Sequence, residues 1–211
     1  MQLYFSPLAC SMASRIALYE ADAKARFVEV DSRTKLTADG KDFHAVNPLG
    51  LVPVIRTDED EVLTENAAIL QYIADRFPEA GLAPRGGMAR TRLQQWLSFI
   101  GTELHKAIFM PLFDRGLPET EKARVLERCD RRLAYLDGYL DGREFLLESF
   151  SVADAYLVTV LNWCQATPVE LKRFPAVLEY SERLRRRPSI ARALAEEGAL
   201  YAAEQVRRKA A

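Results

Sequence analysis

The sequence is poor in the residues that build disulfide frameworks and metal sites. It has three widely spaced cysteines and two histidines among 211 residues. Cysteines this few and scattered indicate neither a disulfide framework nor a zinc site, and their odd number favours a reducing compartment. We therefore expect no metal cofactor and a cytoplasmic location.

Long apolar runs and charge of one sign are also missing. No stretch is long enough to span a bilayer, and the first residues lack the basic and apolar regions of a signal peptide. With 29 Lys and Arg against 30 Asp and Glu, the net charge is −1. We therefore expect no bulk attraction to nucleic acid or to a membrane. The length suits one large domain or two small ones.

The first 78 residues alternate short strand-like and helix-like segments. Their apolar patterning predicts strands at 3–5, 27–30, 53–55 and 61–63, and helices at 11–21 and 67–77. This order implies a small mixed sheet with helices packed on it. The stretch 78–87 holds two prolines and three glycines with little periodicity, so we assign 79–87 as a linker.

Everything after the linker has the pattern of helices. Apolar residues recur at helical spacing along 93–108, 126–140, 174–184 and 189–200, and 155–163 is apolar on nearly all sides. Ser151 and Asp154 carry a capping-box pattern, which would start the apolar helix. Residues 88–211 are therefore predicted to form an all-helical domain.

Cys10 is the most informative residue of the chain. It follows an apolar strand and a Ser6-Pro7 turn, and it precedes the first predicted helix. Unpaired N–H groups and the positive dipole end at a helix start favour a thiolate, and such cysteines tend to be reactive. A small core residue is the alternative, and the residue alone leaves both open. Cys129 and Cys164 lie on apolar helical faces and are expected in the core.

The segment from Asn47 to Val54 is the second signal, because Pro53 opens a predicted strand. A proline there belongs at an edge or in a special turn. With a cis Val52–Pro53 bond, the Val52 N–H and C=O would stay unpaired and could bind an extended peptide-like ligand. An ordinary strand entry is the alternative.

Glu65 and Asn66 stand where the next helix opens. Asn66 is a good N-cap, and capping is one complete interpretation of it. The other adds an anion site at the helix start, with the Glu65 carboxylate facing an ammonium group. A ligand that carries both an α-amino and an α-carboxyl group would satisfy this pair.

His105 follows Leu104 of an apolar stripe and shares a predicted polar face with Ser98 and Thr102. That face adjoins the core stripe, so it could form the wall of a cleft. A plain surface histidine is the alternative, and the presence of Cys10 favours the cleft.

Taken together, these motifs resemble a glutathione S-transferase, and Cys10 with His105 points to the bacterial beta class. The matching segments, in the family's order and spacing across the whole chain, are 6–11, 47–53, 65–66, 102–106 and 150–156. The resemblance implies a fold of the α/β plus all-α class. It implies a thioredoxin-like domain at 1–78 and a helical bundle at 88–211. It also implies a homodimer and a cis bond before Pro53.

The resemblance implies a role in glutathione binding for several residues of the first domain. Cys10 contacts the glutathione sulfur, and Val52, held by Pro53, pairs with the cysteinyl backbone. Lys35 reaches toward the glycine carboxylate. The γ-glutamyl group is held by Glu65 and Asn66.

The second domain contributes the remaining implied residues. His105 lies near the sulfur, and Lys106 lines the glutathione site. Ser98 and Thr102 reach it from the partner subunit. The wall of the pocket for an apolar co-substrate is formed by Phe109, Phe113 and Trp163.

The predicted function is conjugation of glutathione to small apolar electrophiles, as in detoxification. The site keeps the thiol ionised, and binding both reactants side by side supplies proximity. One alternative is glutathione-dependent disulfide exchange or peroxide reduction through Cys10. Ala13 offers no local resolving thiol, so a second glutathione would have to resolve the mixed disulfide. Another is a non-enzymatic binding module, although a pure scaffold needs neither Cys10 nor His105.

Overall fold

The computed structural model describes residues 1–210, which divide into two compact units. The first contains Met1–Leu82 together with the stretch that starts at Arg187, and the second is Ala83–Arg186. No helix of the described residues is long and apolar enough to cross a membrane.

A four-stranded sheet in the order β2-β1-β3-β4 forms the centre of the first unit. β1 pairs parallel with β2 and antiparallel with β3, and β3 pairs antiparallel with β4. The sheet confirms the predicted mixed topology, and each strand begins and ends within one residue of its predicted bounds. The strands are β1 Gln2–Phe5, β2 Arg26–Glu29, β3 Val54–Arg56 and β4 Val62–Leu63.

Within residues 1–210, the α-helices of this unit are α1 Met12–Glu20, α2 Asn66–Arg76 and α8 Pro188–Ala210. Leu3 of β1 pairs with Ile55 of β3, and both residues are fully buried. The adjacent pair, Tyr4 and Val54, forms a separate apolar cluster with Phe43. Alternate residues of the strands therefore pack into two apolar layers.

α8 departs from the predicted domain organisation, which assigned all of 88–211 to the helical domain. Its Glu197 pairs with Arg15 of α1 at 2.9 Å, and Arg187 pairs with Glu20 at 2.6 Å. Ion pairs of this kind, between residues far apart in sequence, are invisible to a pattern of apolar spacing. The boundaries 1–78 and 79–87 stay predictions, but the last helix groups with the N-terminal unit.

The second unit is all-helical, as predicted. α6 is buried at every position from Val152 to Leu161, which confirms its assignment as a central helix. Ser151 N–H donates to Asp154 Oδ2 at 2.8 Å and forms the predicted capping box. The helices are α3 Gly87–Phe99, α4 Met110–Phe113, α5 Glu119–Leu140, α6 Val152–Asn162 and α7 Pro175–Arg185.

Between α3 and α4 the chain continues as a π-helix, Ile100–Phe109. The predicted faces of this stretch depend on 3.6 residues per turn, but π-helical hydrogen bonds join residues five apart and widen the turn. π-helical turns are rare in proteins, and those that do occur are frequently found at functional sites. The stretch contains Thr102, His105 and Lys106, so the difference changes which faces these residues occupy.

Candidate functional site

Cys10 lies two residues before α1, in a loop held by hydrogen bonds. Its carbonyl accepts from the Ala13 N–H at 3.2 Å and from the Asn66 side-chain amide at 3.1 Å. Its Sγ donates to the Val52 carbonyl at 3.4 Å, and the residue is 9% exposed. The loop therefore brings the thiol, the segment before β3 and the start of α2 together.

The Val52–Pro53 bond is cis, which confirms that expectation. β3 begins at Val54, so Val52 lies outside the ladder. Among residues 1–210 its N–H has no backbone hydrogen-bond partner. The Asn47 amide donates to the Leu51 carbonyl at 2.8 Å and holds the turn that precedes Val52. Val52 thus offers an N–H next to a carbonyl that already lies near the Cys10 thiol.

Lys35 lies over the same turn. A Cβ placed on Gly50, whose φ is +62°, would be 3.5 Å from Lys35 Cδ and 2.8 Å from His44 Nε2. Only glycine combines this left-handed backbone with so little space. Lys35 itself has a φ of +59° and is half-buried. The structure thereby brings a lysine side chain to the segment that leads to Val52.

Asn66 differs from its predicted role as an N-cap. α2 begins at Asn66 itself, and Glu65 occupies the capping position without a side-chain cap. The Asn66 amide donates to the Cys10 carbonyl, and its Oδ1 accepts from the Ser14 hydroxyl at 3.1 Å. Propensity rules place asparagine at a cap but cannot detect these contacts, which are more than fifty residues away in sequence. Its side chain therefore positions the Cys10 loop.

Glu65 is exposed, and it has a positive φ of 66°. Such a conformation is uncommon for a residue with a side chain, and outliers of this kind cluster at ligand sites. Among the described residues no cation pairs with its carboxylate. Its own carbonyl accepts from the Ala68 and Ile69 N–H groups at 2.9 and 3.0 Å. The helix start thus presents a free carboxylate beside unpaired N–H groups.

His105 is buried in the helical unit, whereas Ser98 and Thr102 are exposed, so the predicted shared polar face is wrong. The π-helical turn accounts for the difference because it rotates His105 away from the positions expected at α-helical spacing. Its Nδ1 lies 2.7 Å from the Tyr156 hydroxyl. Burial, together with the nearby charge of Lys106, lowers the pKa of His105 to about 4. The imidazole is therefore neutral at physiological pH.

The three predicted pocket aromatics and His105 form one cluster around Trp163. Ring centroids lie 4.9 Å from Trp163 for His105, 5.7 Å for Phe109 and 5.6 Å for Phe113. Phe109 has no exposed surface, whereas Phe113 is 40% exposed. Phe109 is therefore a buried neighbour of Trp163, and Phe113 is the accessible member of the cluster.

Around the same stretch, Lys106 is exposed and the Thr102 hydroxyl donates to the Ser98 carbonyl at 3.0 Å. Glu103 accepts from two guanidinium nitrogens of Arg132, at 3.0 and 2.7 Å. This pair ties the π-helix to α5.

Glu197 is a residue that the sequence analysis missed. Its Oε2 accepts from the Leu8 N–H at 2.7 Å, in the loop that leads to Cys10, and Leu8 has a φ of +58°. Burial raises the pKa of Glu197 to about 7 although Arg15 lies beside it. A usable signal existed, because Glu197 continues the buried stripe of Ile190 and Ala193 at helical spacing.

Cys129 and Cys164 carry the other two thiols of the chain, and both are less acidic than a free cysteine thiol. Burial raises the pKa of Cys129 and of Cys164 to about 12. Since the thiolate is the reactive form, both are expected to be inert near neutral pH. Within residues 1–210, no group of three or more His, Cys, Asp and Glu side chains is placed to hold a metal ion.

The predicted site residues thus fall into two sets, one in each unit. In the first unit Cys10, Val52 and Asn66 are joined by hydrogen bonds, Pro53 and Glu65 are their chain neighbours, and Lys35 lies over the preceding turn. In the second, His105, Phe109, Phe113 and Trp163 are in ring contact, while Ser98, Thr102 and Lys106 are exposed nearby in sequence.

Comparison with known proteins finds two family models along the chain. Residues 1–75 match the model "Glutathione S-transferase, N-terminal domain", and residues 102–188 match "Glutathione S-transferase, C-terminal domain". The glutathione S-transferase GstA of Escherichia coli O157:H7 is 38% identical over 200 residues, which cover 94% of this chain and 99% of that protein.

Two solved structures are similar over nearly the same length. A sphingomonad glutathione S-transferase complexed with glutathione is 44% identical, with a TM-score of 0.90, and the match covers 94% of this chain and 99% of the other. A bacterial beta-class glutathione S-transferase of Sphingomonas chungbukensis is also 44% identical, with a TM-score of 0.89 and the same coverage.

Proposed function

The chain belongs to the glutathione S-transferase family, and we propose that it conjugates glutathione to small apolar electrophiles. It is a glutathione transferase, with glutathione as its substrate. The observation that carries the proposal for its binding site is the hydrogen bond from Asn66 to the Cys10 carbonyl at 3.1 Å. This bond joins a site suited to an amino-acid head group to a thiol-bearing loop.

Glutathione binds in an extended conformation along Val52. The free Val52 N–H and its carbonyl pair with the cysteinyl backbone of the ligand, as a peptide pairs with a strand edge. This pairing brings the ligand's own thiol toward Cys10, because Cys10 Sγ already lies 3.4 Å from the Val52 carbonyl.

The two ends of glutathione meet opposite charges. The Glu65 carboxylate binds the γ-glutamyl ammonium group, and the unpaired N–H groups at the start of α2 bind the adjacent carboxylate. Lys35 binds the glycine carboxylate at the other end. Asn66 contributes through its backbone and by holding the Cys10 loop, since its side-chain amide is bonded to Cys10 and Ser14.

Chemistry follows from ionisation of the bound thiol. The glutathione thiolate attacks an electrophilic carbon, a new C–S bond forms, and the leaving group departs with its electron pair. Cys10 and His105 act as auxiliaries that stabilise the thiolate. His105 does so as a neutral group, because its pKa is lowered to about 4. The glutathione-binding roles of Lys106, Ser98 and Thr102 are inferred from the resemblance to the family.

The electrophile binds against an apolar surface. Phe113 supplies the accessible aromatic face, and the buried Trp163 and Phe109 pack against one another in the same cluster. Such surfaces select for size and apolar character rather than for one functional group, which suits a detoxifying enzyme with several substrates.

Conjugation is tested directly with glutathione and a chlorinated nitroaromatic acceptor. We expect a rate that saturates with glutathione, exceeds the uncatalysed rate at the same pH, and yields the thioether and chloride as products. A rate equal to the uncatalysed one across a series of apolar acceptors would refute transferase function.

Disulfide exchange is the second candidate function, favoured by the placement of Cys10 Sγ beside Val52, where the ligand sulfur is proposed to lie. In that reaction the Cys10 thiolate attacks the sulfur of a glutathione mixed disulfide and releases the other thiol. Cys10 is then left bonded to glutathione, and a second glutathione resolves it.

We further propose that the enzyme works in the cytoplasm as a homodimer, in which Ser98 and Thr102 face the partner's glutathione. Both residues are exposed, as that role requires. We expect sedimentation of a dimer at micromolar concentration under reducing conditions, by analytical ultracentrifugation. A monomer under those conditions would contradict the assignment of Ser98 and Thr102.

A further inference from the structure

Tyr156 and His105 form a buried pair in the helical unit. The Tyr156 hydroxyl lies 2.7 Å from His105 Nδ1. Tyr156 is 3% exposed and His105 is 7% exposed. Tyr156 lies in the second turn of α6, whose start is fixed by the Ser151–Asp154 capping box. The hydroxyl therefore lies on a rigid element.

The length of the contact indicates which atom carries the proton. Bonds donated by O–H groups cluster near 2.7–2.8 Å, whereas bonds donated by N–H groups cluster near 2.9–3.0 Å. A phenol is also a good donor, and the bare nitrogen of a neutral imidazole is a good acceptor. At 2.7 Å the pair fits a phenol O–H that donates to an unprotonated Nδ1.

A neutral imidazole carries one N–H, so a bare Nδ1 requires the proton on Nε2. The charge state is set by burial and by Lys106, which lower the pKa of His105 to about 4 and keep it neutral at pH 7. The Trp163 ring packs against the imidazole, with ring centroids 4.9 Å apart and an interplanar angle of 69°.

We propose that Tyr156 is a positioning residue that holds His105 in the Nε2–H tautomer and so makes it a neutral hydrogen-bond donor to the glutathione thiolate. This inference rests on the proposed function, which gives His105 its place near the sulfur. In the opposite tautomer a lone pair on Nε2 would face the thiolate and repel it. The tyrosine hydroxyl thus decides whether His105 helps or hinders ionisation.

The tautomer can be measured in the free wild-type protein, without glutathione. Two-bond ¹H–¹⁵N correlation spectra distinguish Nδ1–H from Nε2–H imidazoles, and this chain has only two histidines. His44 is an internal comparison, because its Nδ1 lies 3.0 Å from an Asp42 carboxylate oxygen, which can only accept. At pH 8 we expect Nε2–H for His105 and Nδ1–H for His44. His105 found mainly as Nδ1–H would overturn the proposal.

Tyr156→Phe removes the hydroxyl and keeps the ring. We expect the His105 signals to move toward a mixture of tautomers. We also expect kcat for conjugation at pH 6.5 to fall about 3- to 10-fold, with a smaller loss at pH 8.5, and the KM for glutathione to stay within about two-fold. Tyr139→Phe is the matched control, because its hydroxyl donates to the Leu146 carbonyl of the same unit at 2.8 Å. It should leave the tautomer and the pH profile unchanged.

The two arms separate this inference from the proposed function. One outcome is that wild type catalyses no conjugation but holds His105 as Nε2–H, and that Tyr156→Phe loses this tautomer. That outcome refutes the transferase proposal and keeps the tautomer assignment. Unchanged spectra and unchanged rates in a folded Tyr156→Phe variant overturn the role of Tyr156 while leaving transferase function intact.

Discussion

Replacing Cys10 with alanine should abolish thiol–disulfide exchange and leave a substantial part of conjugation. Exchange needs a protein thiolate that makes the covalent bond, and no other cysteine supplies one, because burial raises the pKa of Cys129 and Cys164 to about 12. Conjugation needs only the glutathione thiolate, to which Cys10 contributes one hydrogen bond. Its loss should lower kcat/KM about 2- to 12-fold. Both activities are measured on the same preparation.

The matched control is Cys164→Ala, which should retain both activities because Cys164 has no part in either. A mass spectrum of wild type should also show a glutathione adduct on Cys10 after incubation with glutathione disulfide, and none on Cys164. If Cys10→Ala still binds glutathione but loses conjugation together with exchange, the auxiliary role of Cys10 in transfer is wrong.

Glu65→Ala should weaken glutathione binding about 10- to 100-fold. The substitution leaves the γ-glutamyl ammonium group without its counter-charge, and hydrogen bonds to charged groups contribute about 1.5–3 kcal/mol. Isothermal titration calorimetry measures the change directly. S-Methylglutathione should lose affinity by the same factor, because Glu65 contacts the amino-acid head group rather than the sulfur.

Two comparison variants test whether the loss of affinity comes from the charge of Glu65 itself. Glu65→Gln keeps the size and removes the charge, so its affinity should fall between wild type and Glu65→Ala. Glu61→Ala removes another exposed carboxylate of the same unit and should bind glutathione as wild type does. Unchanged affinity in Glu65→Ala would reject the placement of the γ-glutamyl group at the start of α2.

Local patterns were sufficient to predict much of the fold. Short apolar alternation located the four strands, and the Ser151–Asp154 capping box located the start of α6. Both depend on residues that are close in sequence. The grouping of α8 with the first unit was not predictable in this way, because it depends on contacts such as Arg15 with Glu197.

The candidate site shows the same division. Cys10, Glu65 and Val52 were identified because each sits at a turn or a helix start with a recognisable pattern. The inward orientation of Asn66 was not, since it depends on Cys10 and Ser14, which are distant in sequence. His105 was assigned to a polar face shared with Ser98 and Thr102 because periodicity assumes an α-helix, and the π-helix Ile100–Phe109 breaks that assumption.

Ionisation of bound glutathione tests the central claim most directly. The thiolate absorbs in the ultraviolet and the thiol does not, so a pH titration of the complex reports the pKa of the bound thiol. In Cys10→Ala, saturated with glutathione, the signal comes from the ligand because the other two thiols stay protonated. A free cysteine thiol has a pKa of about 8.5. We expect the bound thiol to ionise at least one pH unit lower, whereas titration at the free value in a saturated complex would contradict activation of glutathione by this protein.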